Sequence, residues 1–103
     1  MLERIMELER ELNLNGGALR NEYLRKYVCE PSSLEDVLTE IYPEYFEIIP
    51  FDMIDCINIY IKKNFDVELT TWNGDEQINE LVRLPIENDI ETIEKIMRNI
   101  QEA

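Results

Sequence analysis

The chain has 103 residues, with 23 acidic and 10 basic side chains and no histidine, so its formal net charge is −13 at pH 7. This charge repels phosphate backbones and anionic membrane surfaces, and we therefore expect no direct binding to nucleic acid or to a membrane. The length predicts a single domain over residues 1–103. The N-terminus is acidic and unlike a signal peptide, so we expect a cytoplasmic protein in a bacterial host cell. Two cysteines, Cys29 and Cys56, are too few for a disulfide framework; the sequence is consistent with two reduced thiols or with one bridge between them.

Apolar spacing predicts two helices in the first 30 residues. The first covers residues 2–12 and ends at the stretch 13–17, because the Asn and Gly residues there tolerate positive φ. The second covers residues 18–29 and cannot continue past Pro31, since a proline disfavours helical geometry in the residue before it.

A third helix is predicted to start at Ser32, whose hydroxyl can cap it, with Glu35 three residues later as the acid of a capping box. Its apolar residues form one stripe, made of Leu34, Val37, Leu38, Ile41 and Tyr42. Prolines at positions 43 and 50 then bracket a short segment, residues 44–49, that predicts a single helical turn.

The stretch over residues 51–63 carries two conflicting patterns. Isoleucines at positions 57, 59 and 61 alternate with polar residues, which is the spacing of a strand. Asp52 and Asp55, however, resemble the acids of a helix start, and Lys62 with Lys63 suits a helix end. Because two end signals agree with the length of the stretch, we predict a central buried helix.

The remaining chain predicts one extended segment and two helices. Residues 65–71 alternate as a strand does, and residues 72–75 form a turn. Residues 78–82 have helical spacing, and the last helix is expected to begin at Asn88 as its cap, with Glu91 at the third position. Its apolar repeat consists of Ile90, Ile93, Met97 and Ile100.

These elements predict a mainly α fold, a bundle of five or six short helices with at most a short extended segment near residues 57–72. The alternative is an α+β fold, in which those residues form a hairpin. The expected core consists of Leu34, Val37, Leu38, Ile41, Ile54, Ile57, Ile61, Ile90, Ile93 and Met97.

One part of the sequence resembles a known family. The residues from Phe51 to Asp55, followed by the acidic and apolar stretch 65–69, resemble the second helix of the acyl carrier proteins and the segment after it. The resemblance covers about a third of the chain and implies a small acidic helical bundle. Pro50 stands where the family has its modified serine, so no phosphopantetheine carrier function is predicted.

Acidic residues are distributed unevenly along the sequence. Residues 27–61 contain eight acids and no Lys or Arg, and residues 64–82 contain five acids and again no base. Acids suit helix N-termini and keep a surface solvated, which is one explanation. Capping does not require the absence of every base, however, and Asp36, Glu40 and Glu44 would place charge about every 6 Å along a helix, much as phosphates do along a nucleic-acid strand.

The sequence offers no set of residues for catalysis or metal binding. Without histidine, the commonest general base and metal ligand is missing, and neither Ser32 nor Ser33 has a base to activate it. No glycine-rich phosphate loop or calcium loop is present. We therefore predict no catalytic residue, no metal and no cofactor.

A small acidic protein with these features is typical of inhibitors that dock on the basic, nucleic-acid-binding surface of another protein. Phage-encoded blockers of host defence, such as anti-CRISPR or anti-restriction proteins, are often of this kind and act as nucleic-acid mimics. The alternatives are an immunity protein that neutralises a basic toxin, and a carrier-like or structural module without a prosthetic group. The candidate partner-binding residues are Glu35, Asp36, Glu40, Glu44, Glu47, Tyr42, Tyr45, Asp66, Glu68, Asp75 and Glu76.

A homodimer is a further possibility. Residues 1–26 contain five acids and five bases, so this segment is the least repulsive place for two copies to meet. The competing explanation is that its apolar residues pack only against the core of their own chain.

Overall fold

The computed structural model describes residues 1–18, 22–48, 51–78, 82–84 and 89–102. Within these residues it has three helices of ten or eleven residues, a one-turn helix, a short 3-10 turn over Phe51–Met53 and six strands. The helices are α1 (Leu2–Leu12), α2 (Pro31–Ile41), α3 (Tyr45–Ile48) and α4 (Ile90–Asn99). The strands are β1 (Gly17–Ala18), β2 (Tyr23–Cys29), β3 (Cys56–Lys62), β4 (Val67–Asn73), β5 (Glu76–Gln77) and β6 (Val82–Arg83).

The strands form one antiparallel sheet in the order β1-β2-β3-β4-β5, and β6 also pairs with β4. Strands β5 and β6 pair with opposite ends of β4, so they follow one another along the same outer edge. The six strands therefore fill five positions.

The central buried helix predicted for residues 51–63 is wrong, because residues 56–62 are strand β3. Ile57, Ile59 and Ile61 alternate so that all three lie on the helix-facing side of the sheet, where each is at most 1% exposed. A helix would have spread these β-branched residues around its surface. Pairing with β4 instead buries all three on one face.

The helix predicted for residues 18–29 is also wrong, because residues 23–29 form β2. This strand pairs with β3 from Tyr23 opposite Lys62 to Cys29 opposite Ile57, with an irregularity between Tyr23 and Arg25. The apolar residues that fitted a helical stripe include β-branched and aromatic side chains, and these favour a strand once a partner strand is available.

The long helices cover one face of the sheet. Helix α4 lies between α1 and α2, in contact with both. Their buried side chains and the inward-facing side chains of β2, β3 and β4 form one core. Most of the expected core residues are buried, while Ile41 and Ile90 lie at its margin.

The predicted helical bundle is therefore contradicted, and the fold is α+β, the named alternative. The resemblance to acyl carrier proteins fails for the same reason, since its second helix would fall on β3. Helices α1, α2 and α4, the extended segment and the short turn of α3 were placed correctly. Their signals are local, whereas β2 and β3 depend on pairing between distant segments.

The predicted helix ends differ in detail. Helix α2 starts at Pro31, one residue before the predicted cap Ser32, and no capping bond forms there. The predicted helix over residues 78–82 lies partly outside the described residues, and its end belongs to β6. Asn88, the predicted cap of the last helix, is outside them too; Asp89 caps α4 by accepting from the Glu91 amide at 3.0 Å.

Across the described residues, the structure contains no helix with the length and apolarity that crossing a bilayer demands.

Candidate functional site

The outward face of α2 is acidic. Leu34, Val37 and Leu38 point into the core because they lie three and four residues apart. The same periodicity leaves Glu35 and Asp36 exposed on the opposite side of the helix. We refer to these two residues as the α2 acids.

The other acids predicted near α2 are in different environments. Glu40 is paired with Lys95 of α4, so its charge is partly neutralised. The helix ends at Ile41, and the backbone of Tyr42 leaves helical geometry with φ of −142°. Glu44 and Glu47 are exposed beyond that end, and the four-residue spacing of charges does not extend to Glu44.

The two tyrosines that were predicted as interface anchors lie beside each other. Their ring centroids are 6.3 Å apart. Tyr45 is only 1% exposed and belongs to the core, whereas Tyr42 is half-buried. Of the two, Tyr42 alone is accessible to a partner protein.

Acidic segments that are distant in sequence meet at one end of the sheet. The antiparallel register places the end of β2 beside the start of β3, with Cys29 opposite Ile57, and the start of β3 beside the end of β4, with Cys56 opposite Trp72. The exposed acids that flank these strand ends are Glu30, Asp52, Asp55, Asp75 and Glu76. We call these five residues the acidic end.

Hydrogen bonds hold the acidic end together. The Asp55 carboxylate accepts from the Gly74 amide at 2.9 Å, and the Asn73 side-chain amide donates to the Met53 carbonyl at 2.9 Å. The helix-cap roles predicted for Asp52 and Asp55 are therefore wrong. Asp52 lies in the 3-10 turn, and Asp55 fixes the β4–β5 turn.

Sequence reasoning did not assign Asp52 and Asp55 to the same surface as Asp75 and Glu76. The sequence did contain a signal for this hairpin, namely the alternating isoleucines at 57, 59 and 61 followed by the extended stretch 65–71. A hairpin built from these two segments necessarily brings residues 55 and 74 together.

Glu68 is held inside the protein rather than offered to a partner. Its carboxylate is on the sheet face opposite the helices, only 3% of its side chain is exposed, and it lies 3.1 Å from an Arg83 guanidinium nitrogen and 3.6 Å from Lys62 Nζ. The hydroxyl of Tyr23 donates to it at 3.3 Å. Because these contacts satisfy and bury the charge, we remove Glu68 from the candidate interface.

Three bases lie at the opposite end of the sheet from the acidic end. Lys62 ends β3, Lys63 follows it, and Arg83 pairs with the first half of β4. Asp66, the remaining member of the predicted group, lies at this end too and is half-buried, with its carboxylate accepting from the Asn64 amide at 3.1 Å. Asp66 is therefore not part of the acidic end.

The cysteines offer no activated nucleophile. They are not joined by a disulfide. Burial raises the pKa of the Cys29 thiol, which lies 2.9 Å from the hydroxyl of Ser33, and burial likewise raises the pKa of the Cys56 thiol. A raised pKa keeps a thiol protonated at neutral pH. Among the described residues, no group of three or more Cys, Asp or Glu side chains is arranged to hold a metal ion.

Comparison with protein-family models, with curated proteins and with solved structures finds no match to this chain.

Proposed function

We propose that this is a small, non-catalytic interaction protein that docks its acidic end and the α2 acids onto a basic, nucleic-acid-binding surface of another protein. The observation that supports this is the convergence of three segments without Lys or Arg, residues 29–36, 51–57 and 71–77, at one end of the sheet. Seven exposed carboxylates lie on them.

Helix capping does not account for this concentration of acid. Asp52, Asp55, Asp75 and Glu76 are not in the first turn of any long helix in the described residues. Elsewhere on the molecule acids are interleaved with bases, as in the contacts of Arg98 with Glu11 and Glu94. Like charges left together oppose folding, so the meeting of three segments that contain no Lys or Arg is better explained by a complementary partner.

A blocker of host-defence nucleases, of the phage anti-CRISPR or anti-restriction type, fits this surface, with the bacterial cytoplasm as its place of action. An immunity protein against a basic toxin would use the same electrostatics and is the alternative. Both would associate quickly at low ionic strength and weaken as salt is added. The third possibility, a structural module whose acids only solvate it, predicts no such binding.

Charge reversal tests the proposal. We would immobilise the protein, pass bacterial lysate over it at low salt, and identify the retained proteins by mass spectrometry after elution with duplex DNA. The test variants are Glu35→Lys/Asp36→Lys and Asp75→Lys/Glu76→Lys. The control is Glu22→Lys/Glu91→Lys, which changes the net charge equally but lies away from the acidic end.

We expect the parent and the control to retain nucleic-acid-binding proteins that DNA displaces, and both test variants to lose them. Circular dichroism of each variant checks that the fold is intact. If the test variants and the control retain the same proteins, the acidic end is not the docking surface. If DNA displaces nothing from the parent, the proposed function is wrong.

A further inference from the structure

Helix α1 leaves part of its apolar surface outside the core. Ile5 and Leu8 are fully buried, but Leu2 and Met6 are 41% and 39% exposed on the outward side. This outward side is formed by Leu2, Glu3, Met6, Glu7 and Arg10. All five residues belong to α1, so the surface is an open helix face of the kind that packs against another helix.

We propose that this α1 face binds the α1 face of a second copy of the chain, with the two helices antiparallel. The inference is independent of the proposed function, which uses the other charged surface of the molecule. Two features of the face support a second copy as its occupant. Glu3 and Arg10 can pair reciprocally between two copies, while Glu7 is already paired with Arg4 of its own helix. Helix α4 also separates α1 from the α2 acids.

The charge pattern selects the antiparallel arrangement. Glu3 and Arg10 lie seven residues apart, about 10 Å along the helix axis at 1.5 Å per residue. A two-fold axis passing near Met6 places Glu3 of one copy against Arg10 of the other, twice, and brings the two Met6 side chains together. A parallel pair would instead place Glu3 against Glu3 and Arg10 against Arg10.

The rest of the molecule disfavours other ways of pairing. Two copies with a net charge of −13 each repel one another, and the repulsion is greatest where the acidic end or α2 is involved. Helix α1 carries four acids and two bases, but three of the acids, Glu7, Glu9 and Glu11, are each paired with an arginine of the same chain. A closed two-fold pair through α1 keeps the acidic surfaces apart and satisfies the self-complementary face in both copies.

The contact is small, and this sets the expected affinity. A helix of eleven residues spans only about 16 Å, so one helix pair covers less than the 1,200 Å² or so of a standard stable interface. We expect a dissociation constant on the order of 10⁻⁴ M. Because added salt screens the repulsion between the two acidic bodies, the dimer should tighten as ionic strength rises.

Sedimentation equilibrium from 10 µM to about 1 mM protein, at about 0.1 M and about 0.5 M NaCl, tests the inference at the concentrations this affinity requires. The mass should rise from 12.3 kDa toward twice that value, more fully at the higher salt. Met6→Glu should keep the protein monomeric throughout. The matched control is Met53→Glu, which changes another exposed methionine, 54% accessible and on the 3-10 turn, and should dimerise as the parent does.

A charge swap tests the antiparallel geometry. Glu3→Arg and Arg10→Glu should each weaken the dimer, and the double variant should restore it. A parent that stays monomeric at 1 mM and 0.5 M NaCl would overturn the proposal, as would equal loss in the Met6 and Met53 variants. Failure of the double variant to recover would rule out the antiparallel pairing. The proposed docking on a basic partner weakens with salt and uses no α1 residue. Met6→Glu should therefore lose the dimer but still bind a basic partner, so the dimer and the docking function can fail independently.

Discussion

Glu9 joins α1 to β2 through a buried ion pair, and replacing it by glutamine tests whether this contact secures the helix. The residue is 8% exposed. Its carboxylate accepts hydrogen bonds from Nε and one terminal nitrogen of Arg25, both at 2.5 Å, and from the Tyr27 hydroxyl at 2.5 Å. Glutamine has nearly the same shape, but one acceptor oxygen becomes an NH₂ group and the charge is lost.

The expected cost follows from what remains around Arg25. Its side chain is 15% exposed, so the guanidinium keeps its charge with little access to water, although it still donates to the Gly16 carbonyl at 2.7 Å. Removing one partner of a buried pair costs about 3–5 kcal/mol, and the remaining acceptors place Glu9→Gln near the lower limit, at about 3 kcal/mol. In a domain of this size that lowers the melting temperature by roughly 12–24 °C.

Urea unfolding followed by circular dichroism, together with a thermal scan, measures this effect. Glu7→Gln is the matched control, because it makes the same change on the same helix. Glu7 pairs with Arg4 at the surface, where the Arg4 side chain is 39% exposed and the Glu7 side chain 56%. We expect the control to unfold like the parent. If the two variants share one unfolding midpoint, the buried pair does not hold α1 on the sheet.

Three further predictions concern the same core. Gly16→Ala should destabilise the protein by about 1–3 kcal/mol, because a Cβ there would lie against the Glu9 carboxylate and 2.7 Å from a ring carbon of Tyr27; Gly17→Ala, with nothing within 4 Å, should change urea stability by less than about 0.5 kcal/mol. Burial raises the pKa of the Tyr27 and Tyr45 phenols. Above about pH 10 these phenols are therefore ionised in the unfolded chain but still protonated in the folded protein. The free energy of unfolding should then fall as pH rises, by at most about 1.4 kcal/mol per pH unit for each tyrosine. Urea titrations between about pH 9 and 11 should therefore show a shallower fall for Tyr45→Phe than for the parent. Ile59→Ala, at a site 1% exposed in the middle of β3, should cost about 2–5 kcal/mol in the same assay, and a loss below about 1 kcal/mol would contradict its place in the core.

The sequence by itself determined the elements whose signals are local. Helices α1, α2 and α4 have an apolar stripe at three- and four-residue spacing, and Asn13 takes φ of 56° where α1 ends. Gly74, with φ of 59°, makes the predicted turn between β4 and β5. The net charge and the absence of bases over residues 27–61 also need no structure.

The tertiary structure decided the identity of β2 and β3 and the shape of the acidic surface. The isoleucines of residues 57–61 suit either a helix buried on all sides or a strand. The strand forms because β2 and β4 pair with it on both sides, and β2 is distant in sequence: Cys29, which pairs with Ile57, lies nearly thirty residues before it. The same pairing brings Asp55 to Gly74 and encloses Glu68 between Lys62 and Arg83. Which acids are exposed to solvent and which are neutralised inside the protein thus depends on contacts between distant segments, and such contacts leave no local periodicity in the sequence.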